Sequence, residues 1–308
     1  MHLLRLFILA LAIGTSYPVS VMASAAAVPP QERPLVIGYS TKVFFEVDPR
    51  DAIGLTKVWA QAADRAISNT MPTSVVMFRN MDDMAKAMRA NQVDIAVLIA
   101  LDYVQLREQL PITPVLSADF GRNFYDVLQL LVRSDSGITR LDQLRGKAIK
   151  IESGQKGTLP SQWLDTFLMS RFSKSSHGFF ASVDEAGKAS QAVMPLFFNK
   201  IDACLVSKDS LETLAELNPQ IGKTVRILET SPGFVTGIIA VHRDSSHPRR
   251  EAMLDAIRGM YQDTKGRQLL TLFRINRLVD FRTEHLVSVD KVIKDHRAAS
   301  SNQSRRKR

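Results

Sequence analysis

The run Glu152-Ser153-Gly154-Gln155-Lys156-Gly157-Thr158-Leu159-Pro160-Ser161 sits between a strand expected at 147–151 and a helix expected to run to about Phe172. Glycine permits unusual backbone angles there, Thr158 can act as N-cap, and Pro160 fits a first helical turn because no donor is lost. A helix start leaves free N–H groups and a positive dipole end, which with a hydroxyl and Lys156 can hold an oxyanion. Ordinary capping, with Lys156 in solvent, accounts for the same spacing. A second candidate follows the first strand, where Tyr39-Ser40-Thr41-Lys42 projects at a carboxyl edge, the usual ligand position in open α/β sheets. Tyr103 and Phe124-Tyr125 could wall a cleft, since aromatic faces combine apolar contact with a polar tip; the same residues would also suit a core.

Catalytic patterns are missing from the sequence. There is no GxSxG elbow, HExxH, GxxxxGK[ST] or GxGxxG. The six histidines, at 2, 177, 242, 247, 285 and 296, show no metal-ligand spacing with one another or with Cys204, so neither a metal nor another cofactor is expected. Cys204 lies in an apolar strand pattern and reads as a small buried hydrophobe. The reading is therefore of a protein that is not an enzyme.

These candidates need elements to position them. An apolar run at 35–39 reads as a buried strand, and a helix at 52–68, a strand at 74–78, a helix at 81–90 and a strand at 93–99 follow. Such alternation favours a largely parallel sheet covered on both faces. Asn91-Gln92-Val93-Asp94-Ile95-Ala96 recurs as Asn199-Lys200-Ile201-Asp202-Ala203-Cys204, each copy opening a strand that leads into a helix, at 102–110 and 208–217. One α/β unit is thus expected twice. Asp94 and Asp202 hold equivalent places in separate lobes, which favours a shared structural role over a catalytic pair. Strand-like runs at 126–133 and 225–231 are the candidate crossovers; a strand at 237–242 and helices at 248–273 and 284–295 close the fold.

The 308 residues, 45% hydrophobic, suffice for two domains. Residues 1–25 carry one positive charge, a nine-residue apolar run and the small residues Ala23-Ser24-Ala25, the pattern of a signal peptide cleaved near Ala23 to Ala25. The run is far shorter than the roughly 20 residues of a spanning helix, and no later stretch could span a bilayer. With one cysteine, deep in the chain, neither a disulfide nor a lipid tether is expected, and the mature protein should be periplasmic. Of the net charge of +9, Arg5 supplies one and residues 291–308 six, so the folded body keeps about +2. That excludes a basic footprint for nucleic acid. Residues 291–308 read as a basic, disordered tail.

Residues 125–138, with Tyr125-Asp126 leading to Ser134-Asp135-Ser136-Gly137-Ile138, and Leu141-Asp142-Gln143-Leu144-Arg145-Gly146-Lys147 after them, carry a resemblance. They are similar to the crossover strand, D-S-G-I turn and L-x-x-L-x-G-K helix end of the phosphonate-type solute-binding proteins of ABC importers, within the type II periplasmic binding fold. Val93-Asp94-Ile95-Ala96 with Tyr103-Val104 resembles the family's strand and following tyrosine, and Ile201-Asp202-Ala203 its second-lobe counterpart. The resemblance implies a two-lobed α/β protein, each lobe a mostly parallel sheet flanked by helices, joined by two crossover strands. Lobe one would take 35–125 and 223–290, and the inserted lobe two 126–222. It implies a monomer that closes over a small anionic solute and delivers it to a membrane permease. By the resemblance, Tyr39 and Tyr103 would line the first lobe while Ser153, Gly157 and Thr158 would meet the anion in the second; the reading of the residues themselves adds Ser40, Tyr125 and Lys156 as ligand candidates. Family members commonly place a serine and threonine cluster where this chain has Gln155-Lys156-Gly157-Thr158-Leu159-Pro160; Lys156 would suit an oxyanion other than phosphonate, such as phosphate, phosphite, sulfonate or a carboxylate. A sensing module that signals to a membrane sensor kinase, or an enzyme on the same scaffold, are the alternative readings.

Overall fold

The structure, a computed structural model, describes residues 33–44, 49–68, 71–119, 123–153, 157–273 and 275–306. The expected signal peptide, Lys156 and the last two residues of the basic end lie outside the described residues.

The chain starts with β1 (Val36–Ser40), α1 (Pro49–Ala66), β2 (Ser74–Phe78), α2 (Met81–Arg89), β3 (Ile95–Ile99) and α3 (Ala100–Leu106). Asn80 caps α2 by accepting from the Asp83 amide at 2.8 Å, and Met84, Ala85 and Met88 form its buried face. After β4 (Ile112–Asp119), the chain leaves through β5 (Asp126–Arg133) and repeats the unit: β6 (Ala148–Glu152), α4 (Leu159–Phe172), the short α5 (Ser176–Phe179), β7 (Ser182–Ala186), α6 (Ala189–Phe197), β8 (Ala203–Ser207) and α7 (Lys208–Leu217). It returns by α8 (Pro219–Thr224) and β9 (Val225–Phe234) to β10 (Gly237–His242). Then come α9 (Arg250–Gly259), α10 (Thr264–Leu272), β11 (Arg277–Asp280) and α11 (Val287–Arg306). The single helix expected at 248–273 is broken at Asp263, whose side chain accepts from the Gly266 amide at 2.9 Å and starts α10 afresh.

Two sheets result, with strand orders β11-β4-β10-β3-β1-β2 and β7-β6-β8-β5-β9. Each is mixed, where mostly parallel sheets were expected: β1, β2 and β3 run parallel, as do β6, β7 and β8, but β4, β5, β9, β10 and β11 pair antiparallel. β9, counted with the first lobe from residue 223, hydrogen-bonds along β5 and so belongs to the second sheet. Residues 291–306, expected to be disordered, are helical and continue α11. Val289, Val292 and Ile293, at helical spacing, are buried and hold that helix down.

The repeat has a physical basis at both ends. Asn91 and Asn199 stand in the left-handed region, at φ 52° and 55°, just past α2 and α6. Each closes its helix with the same pair of backbone bonds: Asn91 N to Met88 O and Gln92 N to Ala87 O, matched by Asn199 N to Leu196 O and Lys200 N to Pro195 O. Three residues on, Asp94 accepts from the Val36 amide and Asp202 from the Ala148 amide, each at 2.9 Å, so each carboxylate fixes the start of the strand beside its own. Asp94 also accepts from Ser245 Oγ at 2.8 Å, and Asp202 from Lys147 Nζ at 3.2 Å. Asp94 is fully buried, whereas the Asp202 side chain is 36% exposed. Asp94→Ala should therefore cost about 2–4 kcal/mol and Asp202→Ala about 1 kcal/mol, because only the first leaves a buried donor, the Ser245 hydroxyl, out of reach of water. Urea unfolding of the two variants checks that order.

Each sheet has an outer core, one under α1 and α9, the other under α6. A third cluster runs from Leu98 and Tyr103 in the first unit through Leu128 and Leu130 to Ile151, Trp163 and Leu205 in the second, and takes in α11. The hinge beside it holds Phe124, Tyr125 and Phe281 around His285, whose Nδ1 lies 2.9 Å from Ser117 Oγ. Burial and then the Arg282 guanidinium lower the His285 pKa below its ordinary value. The unfolded chain thus takes up the proton first as pH falls below about 6.5, and stability is lost through the folded-state pKa below that. A thermal midpoint that declines from pH 7.5 to 5, with a shallower decline in His285→Gln, is the expected result. No helix among the described residues is long and apolar enough to cross a membrane.

Candidate functional site

The carboxyl ends of β1 and β6, and the helices that follow β3 and β8, meet at one edge of each unit. In the first unit Ser40 Oγ, at the end of β1, donates to Asp102 Oδ2 in the first turn of α3 at 3.3 Å. Lys42 Nζ lies 2.8 Å from Asp102 Oδ1, and the Lys42 amide donates to Ser40 Oγ at 3.3 Å. Burial pushes the Asp102 carboxyl above the usual carboxylate range against the pull of Lys42. In the second unit Glu152, at the end of β6, accepts from the Ser207 amide at 2.9 Å and from Ser210 Oγ at 3.1 Å at the start of α7.

Strand registers make Ser40 equivalent to Glu152, and helix starts make Asp102 equivalent to Ser210. A hydroxyl and a carboxylate have thus changed places between the units. Either arrangement ties the end of the first strand to the helix after the third.

The helix start singled out in the sequence stands at this edge. Gly157 has φ +66°, and a Cβ there would lie 3.4 Å from both Ile99 Cδ1 and Leu101 Cδ2 of the first unit, so the backbone of the second unit comes close to the first at this point. Thr158 occupies the N-cap of α4, yet its hydroxyl makes no capping bond and instead accepts from Gln162 Nε2 at 2.9 Å. Ser153 Oγ donates to Glu185 Oε2 at 3.0 Å, and Ser161 Oγ to Glu185 Oε1 at 3.3 Å. One carboxylate is thus held by two hydroxyls beside the first turn of α4, where a helix favours negative charge.

Between the units lies a pocket of about 30 Å³ walled by Ile99, Leu101, Leu128, Leu159 and Phe234, with Asp126 and Thr236 among its polar groups. The crossovers form its back, since Asp126 opens β5 and pairs with Phe234 at the end of β9.

Ser40 stands at the end of β1 in the first unit, while Ser153 follows β6 and Gly157 and Thr158 lead into α4 in the second. Tyr39 instead turns its side chain to the far face of the first sheet, 2% exposed, against Phe44 and Trp59 at 5.8 and 6.3 Å. Alternation along β1 explains this: Ser40 faces the edge, so its neighbour Tyr39 must face away. Tyr103 is packed in the inner cluster with the Arg107 guanidinium 5.8 Å from its ring, and burial raises its phenol pKa. Neither tyrosine lines the pocket between the units. Tyr125 is half-buried at the hinge, edge-on to Phe124 at 4.8 Å, and Gly233 is needed there because a Cβ would stand 2.5 Å from Tyr125 Cβ. Cys204 is fully buried and its thiol is pushed up by burial and then by Glu152. Among the described residues no three His, Cys, Asp or Glu side chains gather as a metal site.

Sequence reasoning missed Asp102, Asp126 and Glu185. The exchange of Ser40 and Asp102 for Glu152 and Ser210 was available from the repeat once the strands were aligned. Glu185 carried no local signal, because only the β6–β7 register, Ile151 opposite Glu185, brings it to Ser153.

Two mixed sheets, each led by one copy of the same unit, joined by two crossover strands and facing each other across a pocket, define a two-lobed solute-binding fold. Residues 64–286 match the family described as ABC transporter, phosphonate, periplasmic substrate-binding protein. That match takes in most of the chain, and the chain belongs to this family of substrate-binding transport proteins, whose members are periplasmic. A Xanthomonas citri protein solved with ATP is similar in structure, with TM-score 0.67 at 14% identity, over 87% of this chain and 98% of that one. A binding-protein component of an ABC phosphonate transporter from Pseudomonas aeruginosa gives 0.64 at 10% identity, over 87% and 88%. A Prochlorococcus marinus protein solved with methylphosphonate gives 0.61 at 11% identity, over 85% and 97%. Among curated proteins no match was found.

Proposed function

We infer that this protein is a periplasmic receptor that closes its two lobes over a small anionic solute and hands it to the membrane permease of an ABC importer. The observation that carries the anionic reading is the pair of hydroxyls, Ser153 and Ser161, turned on one carboxylate beside the first turn of α4. Donors that grip the Glu185 carboxylate have the geometry to grip a phosphonate, phosphate or carboxylate group in its place. Gly157 lets that helix start come close to the first lobe, so a bound oxyanion would be covered from both sides and would favour closure. Family membership and the relatives solved with methylphosphonate and with ATP, both of which carry phosphorus oxyanions, support the same reading. In this reading residues 1–25 are removed on export and the mature chain acts as a monomer.

The test is a thermal-shift panel on the mature protein, stripped of carried-over solute, against phosphonates, phosphate, phosphite, sulfonates, nitrate and small carboxylates. A true ligand at a hundred times its Kd adds about 2.7 kcal/mol, which moves the midpoint by several degrees in a protein of this size. A response confined to one oxyanion class is expected. A flat panel would overturn the anionic reading, and co-purification with a permease would then test the transport role alone.

A further inference from the structure

The outer core of the first lobe holds a cavity of about 50 Å³ on the α1 side of the first sheet. Four rings stand around it in a closed circuit: Tyr39 to Phe44 at 5.8 Å, Phe44 to Phe273 at 5.9 Å, Phe273 to Trp59 at 5.9 Å and Trp59 back to Tyr39 at 6.3 Å. Val97 and Ile239 belong to its sheet wall, and among the described residues that line it none is charged.

Tyr39 Oη and Trp59 Nε1 are both buried, and neither has a hydrogen-bond partner. Both residues line this cavity. Buried polar groups are paired in the large majority of cases, so two orphans on one cavity point to an occupant. An indole N–H can only donate, and a phenol donates or accepts, so the missing partner is an acceptor atom, a role an uncharged carbonyl or hydroxyl oxygen fills for both groups. Burial holds the Tyr39 phenol above its ordinary pKa, so its proton is retained. The rest of the wall is apolar, which suits carbon, and the absence of charged lining groups suits a neutral molecule. The volume is about a third of the roughly 150 Å³ that accommodates benzene, which limits the occupant to a few heavy atoms.

We propose that the first lobe carries an internal site, separate from the cleft, for a small neutral molecule with a short apolar body and an acceptor oxygen, of the alcohol or ketone class, held by Trp59 Nε1–H and the Tyr39 hydroxyl. The site stands whether or not the cleft takes an oxyanion.

Acetone titrated into the full-length mature protein, with the two indole N–H signals followed by ¹⁵N NMR, tests it; Trp59→Phe assigns the Trp59 signal. The expected result is a saturable shift of that signal, at least tenfold weaker for isobutene, which has the same shape and no acceptor oxygen. Tyr39→Phe keeps the ring circuit and should weaken acetone at least fivefold while leaving the cleft's thermal-shift response to oxyanions unchanged. A signal that fails to saturate, equal binding of acetone and isobutene, or full acetone affinity in Tyr39→Phe would overturn the site. So would an indole signal indifferent to acetone but cross-relaxing with a long-lived water, which assigns the cavity to water. Loss of acetone and oxyanion responses together would overturn its separateness from the cleft.

Discussion

A chain ended at Asp290 should lose about 3–6 kcal/mol of stability and with it most of its soluble yield. The cut removes Val292 and Ile293, each 6% exposed, from the cluster that both units share. Burying an aliphatic side chain of this size contributes about 1.5–3 kcal/mol, and a domain has only about 5–15 kcal/mol in hand. Val289, fully buried, would then lie on a stub of less than two turns. The same cut removes the Lys291–Asp295 pair within the helix and two pairs that reach the lobes, Arg297 with Glu108 at 2.7 Å and His296 with Asp165 at 3.6 Å; all are at least partly exposed and contribute little. Their positions nevertheless matter, because Glu108 follows α3 of the first lobe and Asp165 lies on α4 of the second. α11 therefore bridges the two lobes, and its loss should loosen both at once. A chain ended at Ser301 keeps Val292, Ile293 and all of these pairs, so urea unfolding should place it within about 0.5 kcal/mol of the full chain. Wild-type stability in the chain ended at Asp290 would show that α11 does not pack as described.

Composition misled at that end of the chain because it averages over faces. Residues 291–308 are rich in Lys, Arg, Ser and Ala, yet the apolar spacing of Val289, Val292 and Ile293 is a helical stripe, and a stripe is what a core sees. Elsewhere, legibility followed how strongly local pattern and tertiary context agreed. β2, β10 and α7 begin and end where their apolar patterns do. The repeat was visible because Asn, a turn and an Asp recur at fixed spacing for a backbone reason that acts within each unit. β4 was missed because Pro114 reads as a breaker; it is tolerated beside the register shift between Ile239 and Ala240 of β10. β7, Ser-Val-Asp-Glu-Ala, and the four-residue β11 are edge strands with little apolar surface to announce them. Strand direction left no local trace: β5 and β9 are antiparallel to their neighbours because the chain crosses between lobes there, and only pairing decides that. In the site, residues on the repeat's own loops could be found, whereas Glu185 depended on an edge strand that was itself invisible.

Glu185→Gln should tighten oxyanion binding roughly five- to tenfold. In the wild-type protein the carboxylate already holds Ser153 Oγ and Ser161 Oγ, so an incoming oxyanion must displace it and then sit within a few ångströms of a like charge. Such a pair repels by about 1 kcal/mol in water-like surroundings and about 4 kcal/mol near a protein surface; exposure of Glu185 places it toward the lower figure. Since about 1.4 kcal/mol is a factor of ten, removing the charge gives the stated gain. Glutamine keeps the shape and an acceptor oxygen, so α4 remains anchored and stability should change little. The gap between variant and wild type should narrow as salt is raised, because the repulsion is exposed to screening. Ser153→Ala runs the other way: it takes a donor from anion and carboxylate alike, and affinity should fall in either background. The sign of the Glu185 effect decides the chemistry of the solute, since a ligand whose own donors contact that carboxylate would bind more weakly to Glu185→Gln. Isothermal titration of both variants with the responding solute reads that sign directly, and a weakening in Glu185→Gln would move the solute class from acceptor-rich anions to donor-bearing molecules.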